Sequence, residues 1–300
     1  MPPRRRSDGA RRSARRRSTP PPPIASNDGH GPRVPSRWRI TDAAHPWFLS
    51  VVERVEAAAA RSRAPHDVLA PNLLGHRGGP EYVAGSPATP AAMVDALERD
   101  LDAAGFERAH LVGTSLGGWL ALELAARGRA ISTTALAPAG GFDHRGPEAR
   151  RLGRMLLQSR WLLRLLGPDA AQLMRRRRIR ALVLRDVATR PSAISGTVAM
   201  EMIQATAACA IYLPFLKGMR SKGFGELPAI DSPVQIVWGT EDRILRWPGY
   251  ARRFRWMVPE AQWVQLPGVG HCPMFDDATL TADTILGLTG PVDRGGGGHA

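Results

Sequence analysis

The chain has 300 residues, 43% of them hydrophobic, with 41 Lys and Arg against 27 Asp and Glu. That length fits one large domain, or a core with an inserted lid, and two cysteines, Cys209 and Cys272, exclude a disulfide framework. The formal charge of +14 is concentrated at the front: residues 1–39 hold eleven Arg and two Asp, or +9, leaving +5 for the rest.

The runs Arg4-Arg5-Arg6 and Arg15-Arg16-Arg17 have no interleaved aromatics and no nucleic-acid fold around them. They read as a solvated tail, so no specific nucleic-acid partner is expected. Prolines and polar residues follow the arginines where a secretory signal would have an apolar segment, so the expected location is cytoplasmic. The run Pro20-Pro21-Pro22-Pro23 cannot sit in a central strand. Residues 1–46 therefore form a disordered Arg/Pro-rich extension with no convincing strand.

Residues 47–62 read as a helix and 67–73 as a strand. A helix follows near 91–104, then the apolar stretch Ala109-His110-Leu111-Val112 as a strand. Directly after it comes Gly113-Thr114-Ser115-Leu116-Gly117-Gly118, and then an amphipathic helix near 116–127. A strand near 131–137 runs into Pro138-Ala139-Gly140-Gly141. This alternation implies a parallel sheet with crossover helices. From 143 to 230 it gives way to apolar and Arg-rich helical patterns, read as a helical lid between two core strands. The core is thus 47–142 and 231–290. Its later strands lie near 233–238 and 261–266, its last helix near 277–288, and a disordered Gly-rich tail covers 291–300.

Three polar residues follow predicted strand ends. Ser115 sits at the apex of a Gly-flanked strand–turn–helix. Gly113 and Gly117 are expected to remove side chains that would collide there. Asp242 follows Val234-Gln235-Ile236-Val237-Trp238, and His271 lies on the loop Pro267-Gly268-Val269-Gly270-His271. A hydroxyl is a poor nucleophile at its free pKa. It needs an imidazole to take its proton and a carboxylate to orient that imidazole. Asp143 and Glu241 are the alternative carboxylates. Asp242 is preferred for its strand-Gly-x-x-Asp spacing.

These blocks, with Asp67-Val68-Leu69-Ala70-Pro71-Asn72-Leu73-Leu74-Gly75-His76-Arg77-Gly78, resemble the α/β-hydrolase fold over roughly residues 47–288. The order is specific: Ser115 to Asp242 spans 127 residues and Asp242 to His271 spans 29. The resemblance implies a mostly parallel α/β sheet flanked by helices, with an inserted helical lid. It makes Ser115 the nucleophile, Asp242 the orienting acid and His271 the general base, and the Leu116 N–H one oxyanion donor. It implies no cofactor and no metal. A serine at the turn disfavours the family's epoxide hydrolases and haloalkane dehalogenases, which use a carboxylate there. The departure is at the front, where the family's first strands and the loop giving a second oxyanion donor are not recognisable, although His30-Gly31 is present. Either the sheet is shortened behind a disordered extension, or the segment is read out of frame from a gene rich in G and C. The second is preferred, and an apolar strand with His-Gly in another frame of the upstream DNA would support it.

The expected activity is serine hydrolysis of an ester-like bond in a small, apolar acyl substrate through an acyl-enzyme. The alternatives are a non-catalytic or vestigial ligand-binding relative and, further off, a C–C bond hydrolase or thioesterase. Trp161, Met200, Met202, Ile203, Tyr212 and Phe215 could wall a lid pocket, although ordinary packing is the plainer reading for each. Arg175-Arg176-Arg177-Arg178 reads as a solvated helix face, His76 as part of a structural loop, and His110 as a core residue. The window 193–216 reads as a buried lid helix rather than a membrane span. Cys272 reads as a small buried filler. No metal-ligand cluster has usable spacing, and the oligomeric state is not readable.

Overall fold

The computed structural model describes residues 68–166 and 169–295, all within one compact unit. The first described helix, α1 (Pro90–Ala103), starts where its sequence says it should. The Thr89 hydroxyl accepts the Ala92 N–H at 3.2 Å and Pro90 supplies a preset φ at the first position. Met93, Leu97 and Leu101 recur every fourth residue and are buried.

Strand β1 (Ala109–Thr114) runs through Ser115 into α2 (Leu116–Ala126), and β2 (Ala130–Leu136) follows. Helix α2 is apolar on nearly every side because core surrounds it: Trp119, Leu120, Leu122 and Leu124 are all buried. Its polar exit is held by Arg127, which pairs with Asp95 and Glu98 of α1 at 2.6 and 2.7 Å.

Strands β3 (Val234–Gly239) and β4 (Gln262–Leu266) complete a four-stranded parallel sheet in chain order, β1-β2-β3-β4, among the described residues. Side chains alternate across it. Ala135, Ile236 and Trp238 face α1 and α2 with Met93, Leu122 and Phe254. Leu136, Val237 and Leu266 face the last helix with Ala282 and Ile285. Burial on both faces explains the near-continuous apolar run of β3.

Between β2 and β3 lies a helical insertion: α3 (Pro147–Leu166), α4 (Ala170–Leu173), α5 (Arg177–Val183), α6 (Gly196–Ala208) and α7 (Tyr212–Lys222). It has a small core of its own, with Met174, Leu184, Ala188, Ile194 and Ala199 buried together. After β3 comes the four-residue α8 (Phe254–Met257), and after β4 come α9 (Pro273–Asp276) and α10 (Ala278–Gly295).

Three expectations need correction. Residues 68–73 are irregular coil, not strand, because an apolar run becomes a strand only beside a ladder partner, and none pairs with it among the described residues. The window 193–216 is not one buried helix. It is α6 and α7, bent by 70° at Cys209–Ile211, and within the two helices only Ala199 and Leu216 are buried. Among the described residues no single helix is long and apolar enough to cross a membrane. Finally, α10 continues to Gly295, past the expected end at 288 and through residues 291–295 of the expected disordered tail, and carries Pro291 in its interior. Its apolar face stays packed against the sheet, which offsets the ladder hydrogen bond that the proline lacks. The readings for residues 1–46 and for a helix at 47–62 lie outside the described residues.

Candidate active site

The rim of the sheet at the strand C-termini gathers the candidate residues. Ser115, between β1 and α2, has φ 56° and ψ −115°, a strained conformation for a residue with a side chain. The turn is held by three backbone bonds. Ser115 N–H donates to Leu136 O at 2.9 Å, and Ser115 O accepts from Ala139 N–H at 2.9 Å and Trp119 N–H at 3.2 Å. The other non-glycine residue with positive φ among those described is Ala137, at 40°, just past β2 on the same rim. Leu116 N–H opens α2 and has no acceptor among the described residues. A helix N-terminus leaves such donors free and adds a positive dipole end.

The glycines divide differently from expectation. A Cβ on Gly113 would lie 2.1 Å from Gly117 O, and one on Gly118 would lie 3.0 Å from Pro138 Cα. On Gly117 it would meet nothing within 4 Å among the described residues. The close approach thus runs from Gly113 to the Gly117 backbone, and the Gly117 side chain position is open. Gly113→Ala is expected to cost about 3 kcal/mol or more, since the added Cβ meets backbone atoms that cannot yield. Gly117→Ala should change stability by less than about 1 kcal/mol. Thermal melting of the two variants checks the contrast.

Asp242 and His271 are in direct contact. His271 Nδ1 lies 2.8 Å from Asp242 Oδ2, and both side chains are buried. Asp242 Oδ1 accepts two further bonds, from Ile244 N–H and Leu245 N–H, each at 2.8 Å. Three donors thus hold one carboxylate in a fixed plane, which keeps the proton of a neutral His271 on Nδ1. The rival acids are elsewhere. Glu241 is exposed. The Asp143 side chain is 69% exposed and bonds to its own turn at Arg145 N–H. Ser115 Oγ makes no hydrogen bond to His271 among the described residues, so the structure pairs the acid with the imidazole and sets the serine on the same rim without closing that contact.

Asp276 has no counterpart in the sequence reading. This buried carboxylate accepts Gly270 N–H at 2.8 Å, Thr189 N–H at 2.9 and 3.0 Å, the Thr189 hydroxyl at 2.7 Å and Arg190 N–H at 2.9 Å. The Arg190 guanidinium also donates to Asp276 O. Cys272 N–H donates to Val187 O at 3.0 Å. The loop that carries His271 is therefore fastened on both sides to segment 187–190 of the helical insertion. In the sequence, Asp276-Asp277 looks like an ordinary helix start, and Asp277 does cap α10 through Leu280 N–H. Nothing local distinguishes the acid that turns inward. Asp276→Ala leaves buried N–H donors without an acceptor and should cost about 3 kcal/mol, a fall of roughly 6–12 °C in melting temperature. Asp276→Asn should restore only part of this, because its amide NH₂ faces other donors.

The remaining candidates resolve by packing. His110 Nδ1 lies 2.7 Å from the Ser132 hydroxyl on the neighbouring strand, and His76 Nδ1 lies 3.1 Å from Leu74 O. Met200, Met202 and Ile203 pack on the insertion's own core, and Tyr212 and Phe215 pack on the main core. Trp161 does not wall a pocket; it is 64% exposed. Arg175 to Arg178 are exposed, but Arg180 is buried and donates to Met174 O at 2.7 Å. Burial pushes the Cys272 thiol up to about 12, with Asp242 and Asp276 adding to the shift. The thiolate fraction at pH 8 is then on the order of 10⁻⁴. The native protein should resist iodoacetamide at that pH and become reactive at Cys272 only when unfolded. Among the described residues no group of three His, Cys, Asp or Glu could hold a metal ion.

A parallel sheet with a strained serine turn and a buried acid–imidazole pair at its C-terminal rim defines the class of α/β-fold hydrolases. Residues 9–284 match the model of the Alpha/beta hydrolase family, and the chain belongs to that family. The match begins well upstream of residue 47, inside the Arg/Pro-rich segment. The chain is 34% identical over 191 residues to "Epoxide hydrolase EphH" of Mycobacterium tuberculosis, covering 62% of this chain and 88% of the relative. A thermophilic esterase from Thermogutta terrifontis superposes with a TM-score of 0.59 at 19% identity, covering 85% of this chain and 89% of the esterase. The epoxide hydrolase CorEH superposes with a TM-score of 0.62 at 15% identity, over 85% and 91% of the two chains. Identities this low speak to the fold, and that fold carries more than one chemistry.

Proposed function

We propose that this chain is a serine hydrolase that cleaves an ester-like bond of a small acyl substrate. The observation that carries the reading is the buried Asp242–His271 pair on the rim that also bears the strained Ser115 turn. In the mechanism we infer, Ser115 Oγ attacks the substrate carbonyl as His271 Nε2 takes its proton. Asp242 holds the Nδ1–H and stabilises the imidazolium that forms. The Leu116 N–H receives the developing oxyanion. His271 then gives its proton to the leaving group, and water repeats the sequence to free the acid. Catalytic contacts tighten when substrate binds, which accommodates the open serine–imidazole contact in the free protein.

The relative named as an epoxide hydrolase favours a second reading, ring opening of an epoxide. The residue at the turn argues against it. A carboxylate that opens an epoxide forms an ester, which water can cleave. A serine would form an ether, which water does not cleave, and turnover would stop after one cycle.

A fluorophosphonate probe together with a panel of p-nitrophenyl esters and styrene oxide tests the proposal. Labelling at Ser115 with ester turnover is expected. Epoxide turnover without labelling would overturn it. Labelling and turnover both absent, with ester-shaped ligands still bound, would mark a vestigial relative.

A further inference from the structure

Helix α3 packs on α6 and α7 with one side and leaves the other to solvent. Wound at 3.6 residues per turn, Arg154, Leu157, Trp161, Leu162, Arg164 and Leu165 fall on one continuous exposed face. Trp161 and Leu165 are 64% and 65% exposed. The face is unusual in two respects at once. Large apolar side chains stand in water on a helix that already has an apolar inner side, and the only charges among them are guanidinium groups. The single acid of α3, Glu148, sits in the first turn, where its carboxylate lies about 3.9 Å from Arg252.

We propose that this face of α3 docks on an anionic lipid surface, with Trp161, Leu162 and Leu165 entering the headgroup–acyl boundary and Arg154 and Arg164 meeting lipid phosphates. The chemistry matches what holds a helix in the plane of a membrane: tryptophan and leucine for the boundary, arginine for the negative surface. A second copy of the chain is disfavoured as the occupant. A symmetric contact would bring the guanidinium groups of one copy toward those of the other, with no carboxylate on this face to pair them. The face is a convex helix side, and a fluid bilayer needs no matching shape.

The test uses the full chain, no substrate, and vesicles of phosphatidylcholine alone or with 30% phosphatidylglycerol. Co-sedimentation only with the mixed vesicles is expected. Arg154→Ala and Arg164→Ala should each weaken it about fivefold at low salt, the equivalent of ~1 kcal/mol per basic residue. Trp161→Ala with Leu165→Ala should weaken it about tenfold, with circular dichroism unchanged because both side chains are already exposed. Equal binding to neutral vesicles, or none to either, overturns the proposal. So does binding that the double variant leaves intact, which would assign it to the arginines of residues 4–17. A concentration-dependent dimer that the same double variant dissolves would assign the face to a second copy and also overturn it.

Discussion

Ser115→Ala is expected to lower ester turnover on the order of 10⁶-fold and to abolish fluorophosphonate labelling, with little change in ligand binding. The hydroxyl is the only atom removed, so the sheet, the Leu116 donor and the Asp242–His271 pair remain. On the proposed mechanism what is lost is the bond-forming group, and an oxyanion site without a nucleophile retains only weak catalysis over water. The turn adds a second, opposite expectation. Ser115 has a φ of 56°, which glycine adopts without strain. Ser115→Gly should therefore be as inactive as the alanine variant yet more stable than the parent by about 1 kcal/mol. Progress curves with a p-nitrophenyl ester and parallel melting curves read both effects. Residual turnover within a hundredfold of the parent would remove Ser115 from the nucleophile's role.

Asp242→Asn is expected to lower kcat about 10⁴-fold with the fold intact. The carboxylate accepts from His271 Nδ1 and from two backbone amides. An asparagine oxygen can keep the amides, and its NH₂ then points at Nδ1. The imidazole answers by carrying its proton on Nε2, which can no longer take one from a hydroxyl. Asp143→Asn and Glu241→Gln, on exposed side chains that make no hydrogen bond to His271 among the described residues, should leave kcat within about twofold. The comparison separates the three carboxylates by rate alone. A silent Asp242→Asn would reassign the acid.

Much of this site was legible because its signals are local. The Gly113–Gly118 run reads as a strand–turn–helix, since steric crowding at a tight turn demands small residues at short spacing. Asp242 and His271 each announce themselves by following an apolar strand. Other features depend on contacts between residues far apart. Gly113 is constrained by the Gly117 carbonyl rather than by the two glycines acting alike. Asp276 reaches Thr189 and Arg190, 87 and 86 residues earlier, and no sequence period marks such a bond. The run Leu69 to Leu73 has strand composition but coil structure, because strand formation needs a neighbour that composition does not report. Trp161 reads by residue type as a packed side chain, with a pocket wall as the alternative, and it stands in water because of how α3 is turned.

By itself, then, the amino-acid order determined the alternating parallel architecture, the serine turn and the succession of hydroxyl, carboxylate and imidazole. Short-range sterics and hydrophobic period act within a few residues, and any reader of the chain meets them in place. Only the tertiary structure decided which of three carboxylates meets the imidazole, which glycine the turn cannot lose, and that the helical insertion is fastened to the histidine loop by Asp276. Those outcomes belong to side chains brought together by packing, where burial and partner geometry select among residues that are chemically alike.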